Sequence, residues 1–385
     1  MLVNLPANSS ATLLVLALAG NLLGVEALTV LTYNLGGNGV ADWSTNSPQV
    51  RAIGRQVVHL DPDVLALQEI PFTNTWRMPQ FVAAFRPGFH LATNSGTDGY
   101  IRSAIVSRYP IARSQKWLDG VTLTNFGFDG TFTRDLFEAQ ITVPGFDQPL
   151  HVFTTHLKSG QDTTSSSRRG AEARAISNFL VATFLPANGH RPYLLTGDMN
   201  EDMLRPPSNR PRTIEQLTSA PTGLSLLTPT NPASGGDQTY STRTGLSKRY
   251  DYVLPGTLLF SNFLGGLVFR SDLTTNGASA VMAEDSATAS DHAPVLLVFG
   301  NPYPNPPRVL GFMWSNQMAA IRWESAPGRR YAVELSTNLT TWSLASNVVG
   351  TGVTTFFSTS AGHAMQFFRV GRIPSPNLSV NSAQP

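Results

Sequence analysis

Six short stretches of the chain place polar side chains where apolar runs stop. Asn34 follows the run in LTYNLGG, Glu69 ends DVLALQE, and His156 ends the run in TTHLKSG. Asp198 and Asn200 lie in LLTGDMNED, Asp251 in KRYDYVL, and Asp291 with His292 in SDHAP. The ends of strands are where an open α/β sheet exposes its ligand crevice. A carboxylate such as Glu69 at the end of an all-apolar strand needs water, a cation or a metal to offset its desolvation. His156 offers a donor to a phosphate or another oxyanion. Asp198 and Asn200 are two apart, so in extended chain they point to the same side and bring an acceptor and an amide together. Asp251, between Tyr250 and Tyr252, needs a hydrogen-bonding partner such as an imidazole. Asp291 and His292 should face apart at the start of a last strand, one toward a metal and the other toward substrate. Taken singly, each has an ordinary reading as a turn asparagine, a solvated strand end or a structural histidine.

The elements that would carry these residues alternate. Leu28–Tyr33 reads as a strand, Val50, Ile53, Val57 and Leu60 fall at helical spacing, and Val64–Leu67 is a second strand. Ile176, Phe179, Leu180 and Thr183 repeat the helical spacing between apolar strands at His151–Thr155 and Tyr193–Thr196. His151, five residues before His156, should face the other side of its strand. The pattern predicts an α/β domain over residues 28–300, closed by a strand at Ala293–Phe299. NPYPNPPR at 301–308 reads as a proline-rich linker. The short β-type runs of 309–372 (VLGFMW, AAIRW, RYAVEL, QFFRV), separated by turn residues, predict a small β-sandwich module whose partner cannot be read from them. Residues 373–385 read as a disordered tail. At the other end, the apolar run ATLLVLALAGNLL at 11–23, followed by Val25-Glu26-Ala27, reads as a signal peptide over 1–27, although no Lys or Arg precedes it. The run is too short to be a stable membrane span, so the expectation is a secreted or periplasmic protein.

Composition excludes several chemistries. The 385 residues are 41% hydrophobic and 14% charged, which suits a folded chain. The absence of cysteine excludes disulfides, thiolate zinc sites, cysteine nucleophiles and a diacylglyceryl anchor. The net charge of +2 is unevenly spread: residues 28–300 carry 21 Lys+Arg against 22 Asp+Glu, whereas 301–385 carry 6 against 2. The larger domain therefore lacks a broad basic field, and any polyanion bound there would rely on placed arginines and metal ions. There is no G-x-S-x-G elbow, no G-x-x-x-x-G-K-[ST] loop and no H-E-x-x-H, so acyl transfer, ATP use and zinc proteolysis lack a local signature.

In their order along the chain, the six stretches resemble the endonuclease/exonuclease/phosphatase superfamily, the fold of secreted deoxyribonucleases, sphingomyelinases and inositol-phosphate phosphatases. SAIVSRYPI at 103–111 and FTRD at 132–135 resemble the family's central strands, and GDMN stands where GDFN is commoner. The resemblance spans about residues 28–300; the tail is loosely similar to fibronectin type III-like modules. It implies an α/β fold of four layers, two packed mixed β-sheets with outer helices, and hydrolysis of a phosphoester by metal-assisted attack of water. It further implies that Glu69 is the main metal ligand, with Asn34 and Asp291 beside it, for Mg²⁺ or Mn²⁺, with Ca²⁺ a further candidate. Asp198 and Asn200 would orient the water and the phosphate. His292, held by Asp251, would stabilise the phosphoryl oxygens or transfer a proton, while His156 and Arg134 would contact the phosphate.

Nucleic acid is the first choice of substrate. A phospholipid head group or small phosphoester is the alternative, kept open by the apolar stretch Leu254–Phe269. A reading of another class is a non-catalytic secreted binding or adhesion protein, against which stands the presence of Glu69, Asp198, Asp251 and His292 together. The stretches at 43–48, 119–130 and 205–212 are expected to shape specificity.

Overall fold

The computed structural model describes residues 27–372, except 73–76, 95–97, 145, 147, 204–205, 207–209, 244, 274–280, 303–306, 316–317, 326, 329 and 361–365. The expected signal segment up to residue 26, the centre of the expected linker, residues 205 and 207–209 of the stretch 205–212 expected to shape specificity, and the expected tail at 373–385 lie outside the described residues. The chain divides into two units, one of Leu28–Thr142 with Gln148–Pro302 and one that carries the strands of 309–372.

The larger unit is built on two mixed sheets. The first has six strands, β1 (Ala27–Asn34), β2 (Val64–Pro71), β3 (His90–Thr93), β4 (Ile101–Ser107), β10 (Phe263–Val268) and β11 (Val295–Gly300), in the order β10-β11-β1-β2-β4-β3. The second has five, β5 (Ile111–Trp117), β6 (Leu136–Ile141), β7 (Leu150–His156), β8 (Tyr193–Asp198) and β9 (Asp251–Pro255), in the order β5-β6-β7-β8-β9. Each sheet holds a parallel pair, β1 with β2 and β7 with β8, and these four strands end in Asn34, Glu69 followed by Ile70-Pro71, His156 and Asp198. Parallel neighbours end on the same edge, so one edge of each sheet collects polar termini.

Helices form at both places where the spacing predicts them, and others form where it does not. Helix α1 (Pro48–Leu60) starts at Ser47, whose hydroxyl accepts from the Val50 amide at 3.3 Å, and stops at Asp61 in the left-handed region before Pro62. It buries Val50, Ile53, Val57 and Leu60. Helix α2 (Met78–Phe85) packs near it, and Gly54 admits the Phe85 ring where a Cβ would clash at 2.3 Å. Helix α3 (Thr163–Phe179), capped by Asp162, continues as a wider turn through Leu180–Phe184 and covers the second sheet, with Ile176, Phe179 and Phe184 in one cluster with Phe153, Tyr193 and Leu195.

Alternation along β7 sets the two faces. Phe153 meets α3, whereas Thr154 faces the other sheet and accepts from Gln68 Nε2 of β2 at 2.9 Å. His151 accordingly sits away from His156, buried against Phe184 and bonded to Glu138 at 2.7 Å. The apolar stretch 254–269 is spent on the end of β9, a short helix at Thr257–Phe260 and β10. No described helix is long and apolar enough to cross a membrane.

The smaller unit is an all-β sandwich. β12 (Val309–Ser315), β13 (Met318–Glu324) and β16 (Thr354–Ser360) form one antiparallel sheet, and β14 (Arg330–Ser336), β15 (Ser343–Val349) and β17 (Phe367–Arg372) the other. They share a core of Ile321, Trp323, Tyr331, Val333, Phe368 and Val370.

Gly197, one residue before the end of β8, has φ 133°, and a Cβ there would lie 1.9 Å from the Thr155 carbonyl oxygen of β7. Backbone cannot yield as a side-chain tip can, so Gly197→Ala should cost about 2–4 kcal/mol of stability. A drop in the urea midpoint of the larger unit checks this; an unchanged midpoint would show that the pair of strands can spread at no cost.

Candidate active site

Strand ends from both sheets meet at one edge of the larger unit. Asn34 ends β1 fully buried; its Nδ2 donates to Asp198 Oδ2 at 2.9 Å and lies 3.5 Å from His292 Nε2. Its side-chain oxygen accepts from the Gly36 amide at 3.0 Å. The glycines that follow allow a close approach within the fold: a Cβ on Gly37 would stand 2.2 Å from the Glu69 carbonyl oxygen.

Glu69 itself has φ 55°, at a break in the β2–β4 register between Leu67 and Ile70. A bulge at a sheet edge re-aims a side chain, and here it turns the carboxylate to within 3.8 Å of His156 Nε2, whose other short contact is Asp198 Oδ2 at 3.4 Å. Burial raises the Glu69 carboxyl above its ordinary range, the Asn34 amide and nearby cations oppose this, and the Asp291 carboxylate adds to it.

The sequence expectation for Asp198 and Asn200 is corrected. The strand ends at Asp198, and Asn200 turns into the left-handed region at φ 51° instead of continuing extended. Its backbone amide donates to Asp198 Oδ1 at 2.8 Å, and its side-chain amide donates to the Leu157 carbonyl at 3.2 Å. The pair is coupled through the backbone, because an acceptor two residues upstream satisfies an amide that the ended strand leaves unpaired. Asp198 is fully buried; desolvation above all, with the Asp251 and Glu69 carboxylates, pushes its carboxyl up to about 7 against the pull of His292.

Asp251 opens β9 directly opposite Asp198. Its Oδ2 accepts from His292 Nδ1 at 2.7 Å and from Thr239 Oγ1 at 2.6 Å. Asp291 and His292 precede β11, which begins only at Val295; His292 is buried and Asp291 half-buried. Burial opposes charge on His292, but the carboxylates of Asp251 and Asp198 outweigh it and push the imidazole up to about 10. His156 goes the other way: burial, then the charges of Arg134, His292 and Lys158, hold it well below its ordinary value, and neither ring nitrogen has a hydrogen-bond partner. One imidazole is thus a cation and the other neutral.

Arg134 is less available than its position in FTRD suggests. Its Nη1 donates to the carbonyls of His156 at 2.9 Å and Leu157 at 3.1 Å, and Nε lies 3.0 Å from the Asp98 carboxylate. Among the stretches expected to shape specificity, Trp43 proves to be a buried anchor. Three supports escaped the sequence reading. Thr239 holds Asp251; Glu172 of α3 accepts from the backbones of Thr133 and Lys158, both at 2.8 Å, bracketing Arg134 and His156; and Asn94 donates to Asp135 at 2.6 Å beside Glu69. Glu172, a carboxylate among the alanines of AEARA, was the one with a visible signal.

Glu69, His156 and Asp198 offer ligand atoms within 4.8 Å of one another, as do Asp198, Asp251 and His292. The chemistry of the donors fits a hard divalent cation: Glu69 is desolvated, and Asp291 adds negative charge beside it. The model for the endonuclease/exonuclease/phosphatase family matches residues 31–292, a span that contains every expected site residue. The chain belongs to this family. As a member, it is a divalent-metal-dependent hydrolase of phosphoester bonds.

Solved structures are similar to the chain. An endonuclease/exonuclease/phosphatase from Beutenbergia cavernae DSM 12333 superposes with a TM-score of 0.51 at 16% identity over 87% of this chain and 93% of that one. A 3'-5' exonuclease from Neisseria meningitidis (TM-score 0.49, 20% identity, 71% of this chain and 100% of that one) and D. rerio TDP2 complexed with single strand DNA product (0.49, 17%, 71% and 99%) are also similar. No curated protein matches the chain by sequence.

Because the His292 imidazole titrates near 10 in the folded, metal-free protein against an ordinary value of 6.5, its charge favours the folded state fully below about pH 6.5. That contribution is lost as pH rises through about 10. Asp251→Asn removes the bonded carboxylate and should lower the imidazole's titration by at least about two pH units in a proton NMR titration. An unshifted titration would show that Asp251 does not hold the proton on His292.

Proposed function

We propose that the protein is an exported phosphodiesterase that cuts nucleic acid. The observation that carries the chemistry is the convergence of Asn34, Glu69, His156, Asp198, Asp251 and His292, from the ends of both sheets, on one desolvated edge. Glu69 and Asp291, with Asn34 beside them, would hold a Mg²⁺ or Mn²⁺ ion. When bound, such an ion neutralises phosphate charge and lowers the pKa of water. Asp198, held by the Asn200 amide, takes the proton of the attacking water; a base titrating near neutral pH is well matched to that task. His292 keeps its proton through Asp251, donates to the phosphoryl oxygens as charge builds on them, and can pass that proton to the leaving oxygen. Neutral His156 offers a hydrogen bond to the phosphate.

Nucleic acid is favoured over other phosphoesters by the surroundings of His292. The Tyr240 and Tyr250 rings stack 5.1 Å apart, Tyr240 lies 4.9 Å from His292, and Lys248 Nζ sits 5.8 and 5.7 Å from the two rings. Aromatic faces beside a cation suit a nucleobase and its phosphate. Export rests on the apolar run at 11–23 and the small residues before Leu28, with the absence of cysteine compatible with either side of a membrane.

Residues 28–385 with Mg²⁺ should nick supercoiled plasmid; EDTA should stop this, and a folded His292→Ala variant should be slower by at least about 10²-fold. No nicking by folded, metal-loaded protein would overturn the nucleic-acid reading in favour of lipid or small phosphoesters.

A further inference from the structure

The sheet of β12, β13 and β16 in the smaller unit has one face in the core and one exposed. Along β13, Ala319, Ile321 and Trp323 are buried in the core, while Met318, Ala320, Arg322 and Glu324 alternate to the opposite side. The register sets Met313 of β12 beside Ala320 and Phe356 of β16 beside Arg322, all on that outer side. The outer side of an antiparallel sheet is ordinarily polar, yet Phe356 is 65% exposed, Met313 64% and Met318 42%. A lone exposed apolar residue needs no account, but three on one face of a three-stranded sheet mark a surface that meets a partner.

Charge indicates which partner. Residues 301–385 carry six arginines and two glutamates, against 21 Lys+Arg and 22 Asp+Glu in residues 28–300. Both glutamates are occupied, Glu334 by Arg369 and Glu324 by Arg308 at 3.1 Å. Arg322, in the middle of the exposed face, forms no ion pair among the described residues. On its other side it pairs with Gly311, where even a Cβ would meet nothing within 4 Å, so the guanidinium sits between an open flank and the Phe356 position. An unpaired guanidinium next to an exposed ring suits a nucleotide of a single strand, whose base stacks on the ring while its phosphate meets the fork. Duplex bases stay stacked on one another and offer the ring no face. An anionic bilayer is the weaker fit, because binding to it draws on clusters of Lys and Arg and this face presents one unpaired cation.

We propose that this face of the smaller unit binds single-stranded nucleic acid, with Phe356 stacking on a base, Arg322 contacting the adjoining phosphate, and Met313 and Met318 extending the apolar floor. The inference rests on the phosphodiesterase reading and deepens it. The larger unit has no net positive charge to draw a polyanion, and a second hold on the same polymer raises the concentration of substrate that the catalytic edge meets.

The test follows the fluorescence anisotropy of a labelled oligothymidine of about 15 nucleotides with the full chain in EDTA, which removes the metal and stops cleavage. Phe356→Ala and Arg322→Ala should each weaken binding by at least about fivefold, and Phe356→Trp, which keeps a stacking face, should retain it. Arg322→Ala should also reduce the slope of log Kd against log salt by about 0.7. Turnover of bis(p-nitrophenyl) phosphate with Mg²⁺ should be unchanged in all three variants, since neither residue belongs to the catalytic edge. A wild type that does not bind the oligonucleotide, or alanine variants that bind it as wild type does, would overturn the inference. So would variants that lose only binding to phosphatidylcholine vesicles containing phosphatidylserine, which would make the face a membrane contact. Plasmid nicking separates the two readings. Nicking by a protein whose oligonucleotide binding ignores Phe356 and Arg322 sinks this inference alone; binding that depends on both residues, without nicking, sinks the nuclease reading and leaves the binding face standing.

Discussion

Everything at the site depends on the burial of carboxylates against one another. Asp198 and Asp251 face each other across neighbouring strands, Glu69 is near, and desolvation penalises the charges of Asp198 and Glu69. His292 is the internal counter-charge: bonded to Asp251 at 2.7 Å and 3.7 Å from Asp198, it turns two repelling carboxylates into a paired cluster. The arrangement still leaves Glu69 short of positive charge, which is the electrostatic reason a divalent cation belongs beside it. A site balanced without the metal would bind it weakly.

The sheets are joined at the point where the chemistry sits. Asn34 from one sheet donates to Asp198 of the other, and Gln68 next to Glu69 bonds Thr154 two residues before His156. Two apolar faces packed together have no strong preference for relative slide. A few buried hydrogen bonds across the interface, each costly to leave unmade, set the alignment that places Glu69 opposite His156 and Asp198. The backbone departs from regular geometry at two residues of this edge, Glu69 and Asn200, both with positive φ. Strain of this kind persists where the surroundings over-determine it: Gly37 bonds the Glu69 carbonyl at 2.9 Å, and Asp198 bonds the Asn200 amide.

Support for the site reaches outward through helix α3. Glu172 and Arg169 grip the backbone just past His156, Glu172 accepting from the Lys158 amide and Arg169 donating to Lys158 O at 2.7 Å and Gly160 O at 2.9 Å. A helix held by its core of Ile176, Phe179 and Phe184 thereby fixes the loop that follows His156. The opposite end of the same strand has its own buried pair, His151 with Glu138.

The sequence by itself determined the alternation of strands and helices, the division near residue 300, and which strand ends carry polar groups. Apolar runs, the 3.6-residue period of Val50, Ile53, Val57 and Leu60, and caps such as Ser47 are local signals, and local physics is enough to read them. It also named the residues that meet: Asn34, Glu69, His156, Asp198, Asp251 and His292 came from six distant stretches. Only the tertiary structure decided how they meet. The bulge that turns Glu69, the reversal at Asn200, the commitment of Arg134 to backbone carbonyls, and the different charge states of His156 and His292 all depend on neighbours far along the chain. Thr239 was invisible as a support for the same reason, and Glu172 showed only as a carboxylate among alanines. A threonine or a glutamate acquires a role only from what is packed against it, and desolvation and the charges set around each group are properties of the assembled fold and not of any segment.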